Sequence, residues 1–431
     1  MWPTSPACST CLLINVKVEP IKVSDIKTRS LSPARSAQPT VVLAGFVLLV
    51  FCTGTAEFLM VGLLPQLAAD ASVTIATAGQ TVTAYALGVA VGGPIVTVLT
   101  ARLPRKGLAL ALGVVLVAGT ILTGLAPSFA WLIVGRVVSA CSQATLFAIG
   151  LTTATTSMGP ARSGQAVAIL TSGLTVATVL GVPLGALLGG GTSWRLPFAV
   201  IAAAAILGTL LLAWAMPAAP APATGVREEI RTLLHRPVLL AVSTTVVGFA
   251  GVGIVFIYLV PLLTDVTGIA GGMIPALLLA YGVGGFAGNL IAGRLADRAL
   301  GRTLAGVFTA LIVVLVTFPL VATFPLVMVA LVLVLGLLSS ATVAPLQSLI
   351  LRHAGAAPTL ALAVNVGAFN LANAIGAGLG GAVVAAGMLR WGGFVGAVFA
   401  ALGLLLTAIA LRLPTPANNE PGPRGHADRS G

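Results

Sequence analysis

VVLAGFVLLVFCTGTAEFLMVGLLPQLA, Val41 to Ala68, is an apolar run long enough to cross a bilayer, and one acid, Glu57, lies deep inside it. A helix needs about 20 mainly apolar residues to span a hydrocarbon core roughly 30 Å thick, so this stretch reads as a membrane helix. Of the ten acids in the chain, no other falls inside an apolar run. A charge at the centre of such a helix costs about 2.5–3.5 kcal/mol on insertion scales, and it is tolerated where it faces a protein interior or a wet cavity. Glu57 is therefore a candidate for function. The plainer alternative is a permanently protonated acid that donates a hydrogen bond to a neighbouring helix.

The rest of the chain has the same character. Hydrophobic residues make up 58% and charged residues 7%, with a mean hydropathy of +1.10. A soluble domain carries roughly 25% charged residues, so the composition implies an all-α integral membrane protein embedded in a lipid bilayer. The alternating polarity of a membrane barrel is absent. A net charge of +12 raises the question of nucleic acid, but the basic residues are spread over loops instead of gathered on one aromatic-bearing face, so no nucleic-acid partner is expected. Cys8 and Cys11 lack a second ligand pair, so no metal and no cofactor is expected.

Twelve helix-length segments follow one another: 42–67, 77–100, 108–126, 129–156, 165–190, 195–216, 238–263, 271–295, 303–322, 325–351, 359–387 and 392–413. Residues 1–40 read as a disordered cytoplasmic extension, 41–216 as an N-terminal six-helix half, and 217–237 as a cytoplasmic linker opening on PAAPAPATG. Residues 238–413 form a C-terminal six-helix half, and 414–431 read as a disordered cytoplasmic tail. With the N-terminus inside, the inner loops and tail after residue 40 carry fourteen Lys and Arg, against only Arg195 and Arg390 outside. Cytoplasmic loops hold the excess of basic residues, so both termini are expected in the cytoplasm and the chain in the inner (plasma) membrane.

The two halves repeat each other. Asp70 and Arg195 recur 195 residues later as Asp265 and Arg390; Pro65 and the LTAR at 99–102 recur 196 residues later as Pro261 and the LADR at 295–298. A constant offset means two pseudo-symmetric halves in the same orientation, a known transporter plan with substrate held between them near the midplane. Two charges break the repeat. Glu57 falls opposite Gly253, and Arg136, the one basic residue well inside an apolar run, falls opposite Val332. The unsymmetrical pair is where coupling to protons is expected, although Arg136 also admits a structural reading, bonded to main-chain carbonyls.

Four motifs carry a resemblance to a known family. The loop Gly92 to Lys106, with Gly93, Pro94, Arg102 and Arg105, and its copy Gly288 to Arg302, with Asp297, Arg298 and Arg302, resemble the signature loop of the major facilitator superfamily. Gly54 to Pro65 resembles the first-helix motif of its twelve-helix drug/proton antiporter branch, that of bacterial chloramphenicol-resistance, arabinose-permease-like and sugar-efflux exporters. Gly135 to Ala140 resembles the fourth-helix motif with its buried arginine, with Ala140 and Ala144 where glycine is usual; Leu170 to Gly190 resembles the antiporter helix, through Gly173, Gly181, Pro183 and Gly185. The resemblance covers residues 42–413 and implies a transporter, not an enzyme. It assigns the two signature loops to a cytoplasmic gate. Ala101 replaces the acid usual in the first loop, which shifts the gate onto Asp297.

Polar and aromatic side chains inside helices mark the expected substrate cavity: Tyr85, Gln143, Phe147, Tyr258, Gln347, Asn365, Asn370 and Asn373. Each also admits a plain role as a hydrogen bond between helices. Asn370 and Asn373 share one helix face. The expected function is export of a small molecule, such as chloramphenicol, a sugar or a metabolite, in exchange for protons, by a monomer working through alternating access. No GxxxxGK[ST] loop is present for an ATP-driven pump. The rivals are a nutrient importer and a membrane sensor that keeps the fold without transporting.

Overall fold

The computed structural model describes residues 38–100, 102–158, 163–191, 193–218, 235–353 and 358–413. The expected N-terminal extension up to residue 37, linker residues 219–234, Ala101 and the tail from 414 lie outside the described residues. Every element described is a helix or a turn.

Among the described residues, eleven helices are long and apolar enough to cross a membrane, and the longest, Gly271–Val321, is long enough for two crossings. It is broken at Ala299, whose φ of −155° and ψ of 71° are not helical. The elements are α1 (Pro39–Asp70), α2 (Ile75–Thr100), α3 (Arg105–Gly124), α4 (Phe129–Met158), α5 (163–191), α6 (Leu196–Ala215), α7 (Arg236–Phe256), α8 (274–298), α9 (300–321), α10 (Pro325–His353), α11 (Pro358–Ala385) and α12 (Gly392–Arg412). The twelve segments read from hydropathy are therefore all present, with ends moved by a few residues.

Helices α1 to α6 pack chiefly on one another, as do α7 to α12, and the two groups meet where α2 lies along α11 and α5 along α8. Small residues permit these approaches. A Cβ at Gly282 of α8 would fall 2.7 Å from the Cα of Val179 in α5. Without a hydrophobic force between helices in lipid, close backbone contact of this kind is what holds a membrane bundle together.

Two of the crossing helices are locally underwound into wide turns. Gly88–Gly92 in α2 and Ala177–Gly181 in α5 are π-helical, and each ends two residues before a proline, Pro94 and Pro183. Proline has no N–H and its ring pushes away the carbonyl four residues back, so a widened turn at that carbonyl relieves the clash without breaking the helix. The α2 turn also sets glycines against α4. A Cβ at Gly88 would lie 2.7 Å from the Cβ of Ala140, and one at Gly93 2.7 Å from that of Ala144. The alanines of α4 are thus accommodated by glycines on the facing helix.

Candidate functional site

Glu57 sits midway along α1 and is 6% exposed. Two other helices, α4 and α11, bond to residue 57, and small residues let α5 pack close beside it. A Cβ at Gly54 would meet Leu174 and Ala177 of α5, and one at Gly181 of α5 would fall 2.6 Å from Thr55 Oγ1. The glycine face of α5, at 173, 181 and 185, follows α1 past Val47, Thr55 and Leu59. The antiporter-like motif therefore packs the helix that carries the acid.

Both carboxylate oxygens of Glu57 accept hydrogen bonds. Gln143 Nε2 of α4 donates to Oε2 at 2.8 Å, and Asn373 Nδ2 of α11 donates to Oε1 at 3.3 Å. The first bond stays within the N-terminal half and the second crosses to the other half. Behind Gln143, the Tyr85 hydroxyl of α2 lies 2.7 Å from Gln143 Oε1 and 3.1 Å from the Thr53 carbonyl of α1. An acid without competing acceptors, flanked by two amide donors, is a pocket shaped for a carboxylate.

Arg136 lies beside this network and is 1% exposed. Its hydrogen bonds all end on main-chain carbonyls: Nε donates to Thr81 at 3.2 Å, Nη2 to Glu57 at 3.2 Å and Nη1 to Ala56. The guanidinium stacks over the Tyr85 ring, 4.2 Å from its centroid. Arg136 thus ties α4 to α1 and α2 and does not pair with the Glu57 carboxylate; among the described residues the one ion pair is Arg195 with Asp70, at 2.7 Å.

The other expected cavity groups divide. Phe147 is half-buried against the core. Gln347 of α10 is half-buried with no hydrogen bond among the described residues. Asn365 is buried and accepts from Thr245 Oγ1 of α7 at 2.8 Å, a bond inside the C-terminal half. Asn370 turns Nδ2 back to the Val366 carbonyl of its own helix at 3.1 Å, while its Oδ1 is buried without a protein partner among the described residues. Tyr258 donates to the Ala377 carbonyl of α11 at 2.9 Å and lies against Gly79 of α2, away from Glu57.

Of the expected gate residues, Gly93 and Pro94 follow the wide turn of α2, Arg102 is exposed and Arg105 opens α3. Asp297, Arg298 and Arg302 are exposed around the break between α8 and α9, with no ion pair or hydrogen bond among the described residues.

One tyrosine of the site was not singled out in the sequence. Tyr281 of α8 bonds Ser339 of α10 at 2.8 Å and stacks on Phe256 at 4.3 Å, which in turn meets Phe58 of α1 edge-on at 6.4 Å. Tyr281 stands 196 residues after Tyr85 and Ser339 stands 196 after Gln143, the offset of the internal repeat. The Tyr85–Gln143 bond therefore has a mirror image in the C-terminal half. Both charges are missing there: Val332 stands in the place of Arg136 and Gly253 in that of Glu57, and a Cβ on Gly253 would lie 3.3 Å from Gly376.

Comparison with known proteins agrees with this architecture. The Major Facilitator Superfamily profile matches residues 46–358 and 245–430. A protein described as an uncharacterized MFS-type transporter, YfhI of Bacillus subtilis (strain 168), is 36% identical over 376 residues, covering 86% of this chain and 95% of that one. A chloramphenicol resistance protein of Streptomyces lividans is 36% identical over 372 residues, 85% and 93% of the two chains. Among solved structures, a bacterial homologue of the human lysosomal transporter Spinster, crystallised inward-facing and unoccupied, superposes with a TM-score of 0.66 at 18% identity over 87% of this chain and 97% of that one. At that identity the likeness is one of fold.

Proposed function

The chain belongs to the major facilitator superfamily, multi-pass membrane transporters of small molecules rather than enzymes, and from that premise we propose that it exports a small molecule in exchange for protons. The observation that carries this reading is the bond from Asn373 to Glu57, because it makes one titratable group part of the contact between the halves. As a carboxylate, Glu57 accepts from both amides. Once protonated, one oxygen becomes a donor and one amide loses its acceptor. The 3.3 Å bond across the seam is longer than the 2.8 Å bond to Gln143, so the seam is the contact that gives way.

A proton on Oε1, the oxygen turned to Asn373, leaves the Gln143 bond to Oε2 and the Tyr85–Gln143 bond as they stand, so the change is confined to the seam, which is what a two-state switch between the halves requires. Substrate entering between the halves competes for the same amides, Asn373 and the unpartnered Oδ1 of Asn370. Its aromatic wall is Phe58, Phe256 and Tyr281. One acid, several amides and stacked rings fit a neutral, partly aromatic molecule, and the resistance protein of Streptomyces makes chloramphenicol the first probe. We place the protein in the plasma membrane as a monomer with both termini cytoplasmic, on the basis of the loop charges, and assign the signature loops to the cytoplasmic gate.

The test is transport of chloramphenicol in reconstituted vesicles with an imposed pH gradient. Glu57→Gln keeps the shape, puts an amide donor where one carboxylate oxygen accepted, as in the protonated acid, and cannot titrate, so gradient-driven transport is expected to vanish while insertion stays normal. Undiminished gradient-driven transport by this variant would reduce Glu57 to a structural role.

A further inference from the structure

On the face turned away from the seam, α8, α9 and α10 enclose a groove of about 470 Å³. Its walls are apolar, with Ile291 and Leu295 from α8, Val307 from α9 and Leu337 from α10. Ile291 and Leu295 are about half exposed, at 51% and 47%, so the groove opens toward the lipid. Arg298 and Arg302 stand at one end of it, on either side of the break at Ala299. Both are exposed, and neither has an ion pair or hydrogen bond among the described residues. The neighbouring Asp297 does not line the groove and pairs with neither of them.

We propose that this groove is a binding site for an anionic glycerophospholipid, one acyl chain lying between the helices and the phosphate held by Arg298 and Arg302. The axis from Gly288 to Leu295 runs along α8 for roughly 10 Å toward the arginines, so the apolar part points into the membrane and the charged part lies at its surface. That is the layout of a lipid. Guanidinium groups form forked hydrogen bonds to phosphate oxygens, and two of them without protein partners leave a local excess of positive charge. A phosphatidylcholine would bring a fixed cation close to both, whereas phosphatidylglycerol brings none. The groove is also unfilled where a side chain would fit, since a Cβ at Gly306 meets nothing within 4 Å.

Delipidated protein in detergent would be titrated with dioleoyl phosphatidylglycerol or dioleoyl phosphatidylcholine, and bound lipid counted by native mass spectrometry. One phosphatidylglycerol is expected to bind about thirtyfold more tightly than phosphatidylcholine, the preference that two basic side chains at a membrane surface imply. The double variant Arg298→Gln, Arg302→Gln should lose that preference. Gly306→Leu, which blocks the trough and leaves both arginines in place, should lose the tight site with an unchanged melting temperature. Equal binding of the two lipids by the parent protein overturns the proposal. So does a preference that survives the arginine variant or Gly306→Leu, or one abolished instead by Arg102→Gln with Arg105→Gln in the first-half loop.

Discussion

Arg136 shows how a buried charge can serve the backbone. Its three nitrogens reach carbonyls on two helices, Ala56 and Glu57 of α1 and Thr81 of α2, and fix the turn of α1 that carries the Glu57 side chain. Arginine does this through a planar fork of five donors that lysine cannot copy. Arg136→Lys keeps the charge and is expected to cost about 1.5–3 kcal/mol, the value of a hydrogen bond to a charged group lost from a buried site. It should also cut gradient-driven transport, because the acid loses its fixed position. Thermal melting in detergent together with vesicle transport checks this, and a variant with parental stability and activity would mean that positive charge alone is what the site uses. Glu57 was legible in the sequence because a lone acid in an apolar run has few innocent explanations. Bonding to main-chain carbonyls was one of the two readings of Arg136, but which carbonyls it takes was not legible, since they leave no mark in a sequence. Tyr281 was legible only through the repeat offset from Tyr85, and side-chain chemistry read position by position passed over it.

Among the elements, α1 and α5 form the unit on which the site depends. They run parallel, with Gly173, Gly181 and Gly185 of α5 facing Val47, Thr55 and Leu59 of α1 in the same order. The sequence announced this face by its glycines and Pro183, but not the wide turn Ala177–Gly181 that brings Gly181 against Thr55. Helix boundaries and the number of crossings follow from hydropathy; a π turn depends on how a proline clash is relieved in three dimensions. Even the break at Ala299 is visible in sequence only as a charged interval between two apolar runs. At Gly181 a Cβ would lie 2.6 Å from Thr55 Oγ1, so Gly181→Val must push α1 and α5 apart. Overpacking of this kind costs about 1–3 kcal/mol. The added effect is a displacement of the Glu57 turn, so coupling to protons should fall further than substrate binding does. Measuring binding by tryptophan quenching beside gradient-driven transport separates the two, and a variant that loses both equally would indicate general misfolding instead. Gly181→Val paired with Thr55→Ala should recover part of the stability, because the clash is with that side chain.

At the scale of the whole molecule, the halves share a plan and differ in detail, and the differences lie at the seam and at one membrane surface. Asp70 pairs with Arg195 and accepts from Trp194 Nε1 at 2.9 Å, whereas their repeats part company: Arg390 donates instead to the Pro319 carbonyl at 2.8 Å, and Asp265 accepts from Thr264 at 2.6 Å. Such exposed pairs contribute little to stability. The contact that closes the seam at this end is Tyr258, just beyond the end of α7, whose ring lies between Gly79 of α2 and Gly380 and Gly381 of α11. A Cβ placed on Gly79 would overlap the Tyr258 hydroxyl, which is already held by the Ala377 carbonyl at 2.9 Å and has no room to retreat. Gly79→Ala should therefore keep the halves from closing here and favour conformations open at this surface, without touching the Glu57 network. Spin labels at Ser72 and Gly268, in the loops at this end of each half, would report the change by double electron–electron resonance once the four native cysteines are replaced. The expected result is a longer mean distance and slower transport in Gly79→Ala. Both should move back toward the parent when Tyr258→Leu is added, because the obstruction is removed while the apolar seat remains filled. An unchanged distance in Gly79→Ala would show that α2 and α11 slide past the ring to close, and that another contact along α2 and α11 governs this end of the molecule.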